Sequence, residues 1–316
     1  MERLAERQSI IVSNFKQQYQ GRTSLSNSAW NDVSSSISLF HEACQTVLER
    51  LERKKILPPD TDLNALMKAL FQNICQVLLQ DTFPVCPQYK SNALQWLLEK
   101  FSVLSCTAGI EELSSKLQKE EEDSNDSNEL LFDYKTYPID CNLNITCMEE
   151  VNKMSNKDST TGLITWQGSY GLLQYATNHF MPKCKVLELG SGAGLFGLSL
   201  LKTFYQDISS YIFSDIHPGV LNSIISNYQI NFQPETLSST DLKKWGMHGP
   251  PQILSDSLNQ KQLDAKVRVL KLDWLDCNDE SISSLDYDVI YGSDLTYVRD
   301  MLHPLACLLK RLLQGN

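Results

Sequence analysis

Up to about residue 105 the apolar positions recur at spacings of three and four. Trp30, Val33, Ile37 and Phe40 form one stripe. Leu63, Leu66, Leu70, Phe71, Ile74, Val77 and Leu78 form a second, and Leu94, Leu97, Leu98, Phe101 and Leu104 a third. This spacing gives each segment the single apolar face of an amphipathic helix. Pro58-Pro59-Asp60-Thr61 supplies a break and an N-cap ahead of the second stripe, and Ser91-Asn92 offers caps for the third. Phe83-Pro84-Val85-Cys86-Pro87 is excluded from a helix interior by its prolines. Residues 114–130 (SSKLQKEEEDSNDSNEL) are polar and acidic without periodic apolar positions, the pattern of a solvated linker.

Beyond the linker the period changes. Phe132, Tyr134 and Tyr137, then Leu143, Ile145 and Cys147, predict two short strands joined around 138–142. A helix is expected over about 168–180, then a strand at Lys185–Leu189, a glycine-rich turn and a helix over about 195–204. Tyr211–Ser214, a helix carrying Val220, Leu221, Ile224 and Ile225, a polar stretch 233–264, Val267–Leu270 and Asp288–Tyr291 complete the pattern. Strands alternating with helices predict parallel βαβ units and an α/β sheet.

The 316 residues suggest two domains. The boundaries read as a helical domain over 1–113, an acidic linker over 114–130 and an α/β domain over 131–316. A net charge of −10 argues against a dedicated nucleic-acid binder. No run is long and apolar enough for a membrane span, and the first residues lack the apolar core of a secretory signal, so a cytoplasmic location is expected. The nine cysteines are odd in number and form no C-x-x-C pair. They read as reduced thiols rather than a disulfide framework or a metal site.

The strongest local signal is Glu188-Leu189-Gly190-Ser191-Gly192-Ala193-Gly194, between a predicted strand and a predicted helix. Glycines there let the backbone turn tightly and approach a ligand, and the helix start offers unpaired N–H groups. Glu188 suits an ammonium-bearing ligand or the loop amides, and suits a pyrophosphate poorly. Asp215, at the end of the next strand, is placed to accept hydrogen bonds from ribose hydroxyls of any adenosine-type ligand. Gly192, Gly194 and Gly197 fit a literal G-x-G-x-x-G, which keeps NAD as a competitor. Counted from Gly190, the first glycine after the strand, that fingerprint fails, and the balance tilts toward S-adenosylmethionine. Asp273 and Trp274 stand at a later strand end, where an acid and an aromatic can hold an adenine; Trp274 is also a candidate core ring. Asp294 and Tyr297 follow the last predicted strand, with Asp294 equally suited to a helix cap. Trp166 either closes a pocket or packs under the sheet, and His217-Pro218-Gly219 reads as a turn.

Together these residues resemble the seven-β-strand S-adenosylmethionine-dependent methyltransferases, within them the lysine-specific group with an Asp-x-x-Tyr motif. TGLITWQGSYGLLQYA, VLELGSGAGLFGLSL, IFSDIHPGVL, LKLDW and DVIYGSDLTY resemble the eukaryotic elongation factor 2 lysine methyltransferase family. NFKQQYQGRTSLSNSAW and FPVCPQYKSNALQWLLEKF are similar to its helical N-terminal domain. The resemblance implies a Rossmann-like α/β methyltransferase domain preceded by a helical recognition domain. It places Glu188, Gly190, Ser191, Gly192 and Gly194 in the cofactor loop, Asp215 on the ribose, and Asp273 and Trp274 beside the adenine. Trp166 would line the cofactor pocket, and Asp294 and Tyr297 would orient the substrate lysine. It implies S-adenosylmethionine as cofactor and elongation factor 2 as protein partner.

The pattern departs from the family at its end. Nineteen positions follow Tyr297, enough for the helix Met301–Leu313 but not for strands five to seven of such a domain. A sheet ordered 3-2-1-4 is therefore expected, with strand four at an edge, as in a C-terminally incomplete product. Three readings follow: a protein-lysine methyltransferase in shortened form, a non-catalytic binding protein of the same family, and an NAD-dependent oxidoreductase.

Overall fold

A computed structural model describes residues 2–21, 28–53, 62–79, 87–103, 131–140, 143–151, 160–254, 260–276, 282 and 285–314. The chain divides into two compact units, Met1–Glu129 and Leu130–Asn316.

Among the described residues of the first unit four helices bury their apolar stripes against one another: α1 (Glu2–Gln20), α2 (Ser28–Arg53), α3 (Leu63–Leu79) and α4 (Pro87–Val103). Leu4, Ile11, Phe15 and Tyr19 of α1 complete a core with the predicted stripes. Its centre is aromatic. Trp30 meets Phe15 edge-on at 5.3 Å and Trp96 at 4.9 Å, arrangements that add to plain area burial. Two cap assignments are corrected. Helix α3 is capped by Asp62, whose carboxylate accepts from the Ala65 N–H at 2.6 Å. Ser91 and Asn92 lie inside α4, which starts at Pro87, where a missing N–H costs nothing. Asp60-Thr61, residues 83–86, Leu104 and the linker 114–130 fall outside the described residues.

The second unit opens with the expected hairpin, β1 (Phe132–Pro138) antiparallel to β2 (Asn144–Glu150). Helices and strands then alternate: α5 (Gly168–Asn178), β3 (Cys184–Glu188), α6 (Leu195–Phe204), β4 (Ile208–Asp215) and α7 (Pro218–Phe232). They continue with α8 (Ser239–His248), β5 (Gln260–Gln262), β6 (Val267–Lys271), β7 (Val289–Tyr291) and α9 (Leu302–Gln314). The sheet order is β5-β6-β4-β3-β7, with β6, β4, β3 and β7 parallel. The four parallel strands follow the expected 3-2-1-4 order. The short antiparallel β5 on β6 is an addition. So is α8, inside the polar stretch 233–264. Ser238 and Asp241 form a capping box, a signal that the sequence carries as S-x-x-D.

Burial explains the layers. Leu195 to Leu201 are buried without a break, so α6 is covered on all sides. Helix α9 instead buries Leu305, Leu308 and Leu312, spaced by three and four, and they join Leu187 and Ile212 of the sheet and Leu272 just after β6 in one cluster. Polar contacts tie the hairpin to α7. Asn227 and Asn231, one helical turn apart, accept from the Met148 N–H at 2.7 Å and the Thr146 N–H at 2.9 Å. Asn231 also donates to the Thr146 carbonyl at 2.7 Å, and Asn227 to the Ala193 carbonyl at 2.9 Å. Two amides thus do for the edge of β2 what a neighbouring strand would do. No described helix is long and apolar enough to cross a membrane.

Candidate active site

A cavity of about 340 Å³ opens at the carboxyl ends of β3, β4, β6 and β7, the edge where open α/β sheets take ligands. It is built from five stretches of chain, and the sheet brings them together. Trp166, Gly190, Gly192, Asp215, Trp274, Asp294 and Tyr297 all line it.

The glycine loop forms the floor. Gly190 has a φ of +59°, and a Cβ there would lie 2.6 Å from Leu295 Cδ2. Only glycine fits both the turn and the contact. The Gly192 N–H points at Asp215 Oδ2 at 3.4 Å, and the His217 N–H donates to Oδ1 at 3.0 Å. Burial raises the Asp215 carboxyl above its usual range, and these N–H groups pull it back. His217 itself caps α7 ahead of Pro218, as expected for a turn residue.

Four candidates do not line the cavity. Glu188 is buried behind the loop, where a carboxyl oxygen accepts from the Tyr211 hydroxyl at 2.8 Å. Burial pushes it up to about 8, against the hydrogen bonds from Tyr211 and Ser191. It is thus not a surface anion facing a ligand ammonium but a support under the turn. Ser191 Oγ accepts from the Ser214 N–H at 3.1 Å, locking the loop to β4. Gly194 is the N-cap of α6. Asp273 turns its carboxylate back to accept from the Leu275 N–H at 2.8 Å. Trp274 resolves the choice between core and pocket by doing both: it packs on the Leu187 and Leu272 cluster and lines the cavity.

On the opposite wall Asp294 has a φ of +54°, the left-handed region that non-glycine residues seldom occupy. Its Oδ2 accepts from the Gly168 N–H at 3.0 Å, at the first residue of α5. A Cβ on Gly168 would lie 2.3 Å from that oxygen, so a glycine is required for the approach. A carboxylate at a helix N-terminus is favoured electrostatically. Asp294 is therefore a side-chain acceptor for α5 rather than its own helix's cap. Tyr297 is 69% exposed at the mouth, its hydroxyl 2.9 Å from Thr161 Oγ1. Trp166 is 44% exposed and donates from Nε1 to the Thr161 carbonyl at 2.9 Å.

The sequence reading missed Thr161, Gly162, Ile216, Ser293 and Leu295, all of which line the cavity. All five stand inside the quoted segments, but none carries a charge or a ring that would set it apart from its neighbours.

A parallel sheet with a glycine turn after β3, acids at successive strand ends and an Asp-x-x-Tyr pair after β7 belongs to a methyltransferase-type domain. The chain is a member of the lysine methyltransferase family, whose profile matches residues 149–257 and 249–316, more than half of its length. Among its relatives is the protein-lysine N-methyltransferase EEF2KMT of Bos taurus, 30% identical over 182 residues (57% of this chain, 49% of the relative). The Mus musculus protein of that name is 30% identical over 182 residues (57% and 47%). The Homo sapiens one is 31% identical over 155 residues (48% and 41%). The chain spans about half the length of the curated relatives it matches.

Proposed function

We propose that this chain is an S-adenosylmethionine-dependent protein-lysine N-methyltransferase acting on elongation factor 2 in the cytoplasm. The observation that supports this best is the chemistry of the cavity wall. Asp215 and Asp294 supply two carboxylates, Trp166, Trp274 and Tyr297 supply three aromatic rings, and among the described residues none that lines the cavity is cationic. Such a wall repels a pyrophosphate and favours a sulfonium, by charge and by ring faces.

The residues present fit the cofactor. The Gly190 turn leaves the floor open where a Cβ would intrude. Asp215 offers acceptor oxygens to a ribose, and Leu272 and Trp274 offer an apolar slot to an adenine. Trp274 takes that role rather than Asp273, whose carboxylate is engaged in its own turn. Bound there, the cofactor would supply a methyl group already activated on sulfur, so the chain's task is orientation and exclusion of water.

The acceptor lysine must lose its proton before it attacks. Its reference pKa of about 10.4 keeps it charged near neutrality, and desolvation in a narrow site lowers that value. Asp294, held from one side by Gly168, leaves Oδ1 to hold the amine. The Tyr297 ring shields the approach, and alignment of the amine with the methyl group supplies the largest share of the rate. The helical unit, in this reading, helps to choose the protein substrate.

Isothermal titration tests the cofactor: saturable binding of S-adenosylmethionine and none of NAD is expected, and the reverse overturns the reading. Transfer of labelled methyl groups to purified elongation factor 2, mapped to a lysine by mass spectrometry, tests the substrate. Labelling of another protein but not of elongation factor 2 overturns that assignment. Gly190→Ala is expected to weaken S-adenosylmethionine binding at least about tenfold, because the strained turn costs roughly 1 kcal/mol and Leu295 is driven into the slot. The same titration measures it, and unchanged affinity would contradict the placement.

A further inference from the structure

We infer that Thr161 is a positioning residue for the methyl acceptor, acting through Tyr297; this rests on the proposed methyltransferase reading. Thr161 sits in a single 3-10 turn, Thr161–Leu163, capped by Thr160. Two bonds converge on it. Its hydroxyl pairs with the Tyr297 hydroxyl at 2.9 Å, and its carbonyl accepts from Trp166 Nε1 at 2.9 Å. One residue therefore holds both aromatic walls of the cavity mouth, although Tyr297 lies 136 positions further along the chain.

The turn that carries Thr161 is itself fixed against the cofactor side of the site. Leu163 is buried. Gly162 lies so close to α7 that a Cβ would stand 2.8 Å from Val220 Cγ2. Its carbonyl oxygen is within 3.4 Å of where a Cβ of Gly192 would be. The position of the glycine loop is thus passed through a packed turn to Thr161, and from its hydroxyl to a tyrosine that is otherwise largely exposed. A hydrogen bond between exposed groups adds little to folding stability. Its effect is to restrict the ring of Tyr297 to one place, and restricted placement is what an attacking amine needs. Thr161→Val removes only the hydroxyl and keeps the branched shape.

The test combines kinetics with a structural probe that needs no turnover. In protein labelled with 3-fluorotyrosine, the Tyr297 ¹⁹F resonance is assigned by its loss in Tyr297→Phe. Thr161→Val should move it toward the position of free fluorotyrosine, and Thr161→Ser should leave it in place. With elongation factor 2 as acceptor, Thr161→Val should lower kcat/KM by about tenfold, the scale of one lost orienting contact. Affinity for S-adenosylmethionine and the melting temperature should stay unchanged, and Thr161→Ser should restore the rate. Adding Tyr297→Phe to Thr161→Val should cost no more than either change alone, since both remove one contact. An unmoved resonance in Thr161→Val, unaltered kinetics, or additive losses would each overturn the inference. Failure of the wild-type chain to bind S-adenosylmethionine would instead overturn the proposed function, and is read separately by titration.

Discussion

Asp294→Asn is expected to reduce methyl transfer by about a hundredfold, the scale of a misplaced reacting group. Affinity for S-adenosylmethionine should stay within about threefold. Asparagine is the informative replacement. It tolerates the left-handed backbone of position 294 and keeps an oxygen for the Gly168 N–H, so the wall stays intact while its charge is lost. Alanine removes that acceptor too and places a less suited residue at φ +54°. Asp294→Ala should therefore abolish transfer and also lower the melting temperature, whereas the asparagine variant should melt close to wild type. Single-turnover rates and calorimetric titration, run on both variants, separate the two effects. Turnover equal to wild type in either variant would end the assigned role.

The second large effect concerns Glu188 and pH. Its carboxyl titrates near 8 in the folded chain, against an ordinary value near 4.5. Between those values the unfolded chain has released the proton that the folded chain still holds. Stability is therefore fully present below about 4.5 and is lost as the pH rises through about 8. The slope from this one group approaches about 1.4 kcal/mol per pH unit. Glu188→Gln cannot ionise and can still accept from the Tyr211 hydroxyl. The stability of wild type should fall relative to this variant between pH 5 and pH 8, by a margin that grows with pH to the order of several kcal/mol, and its melting temperature should fall with it. Parallel melting profiles for the two proteins would show that the carboxyl is not held protonated.

The parts of this fold that were legible share one property: their signal is local. Helix α6 follows from an unbroken apolar run behind a glycine turn, and its observed span, Leu195–Phe204, is the expected one. That the strands run parallel follows from the alternation of strand and helix, whereas their 3-2-1-4 order is what the family resemblance implies. Less legible are the positions whose partner lies far along the chain. Glu188 looks like a ligand-facing acid until β4 brings Tyr211 against it. Asp294 looks like a cap for the segment after it, but the N–H it receives belongs to α5, 126 positions earlier. Thr161 carries no charge or ring and gains its interest only when Tyr297 arrives. The stretch 233–264 was passed over for the opposite reason. Helix α8 buries only Leu242, Trp245 and Gly246, too few for an apolar stripe, and the capping box at Ser238 is the better guide.

The two asparagines of α7 give the hairpin a further property. A strand edge normally offers a row of free donors and acceptors that any extended peptide can copy, the first step of sheet-to-sheet aggregation. On β2 the backbone groups of Thr146 and Met148 are already spoken for by side chains set one helical turn apart, not at strand spacing. An incoming strand would have to displace both amides and would also strip the donor from the Ala193 carbonyl in the glycine loop. The edge of β2 is thus shielded from strand pairing through contacts that also brace the site, so loss of either function would be felt in the other.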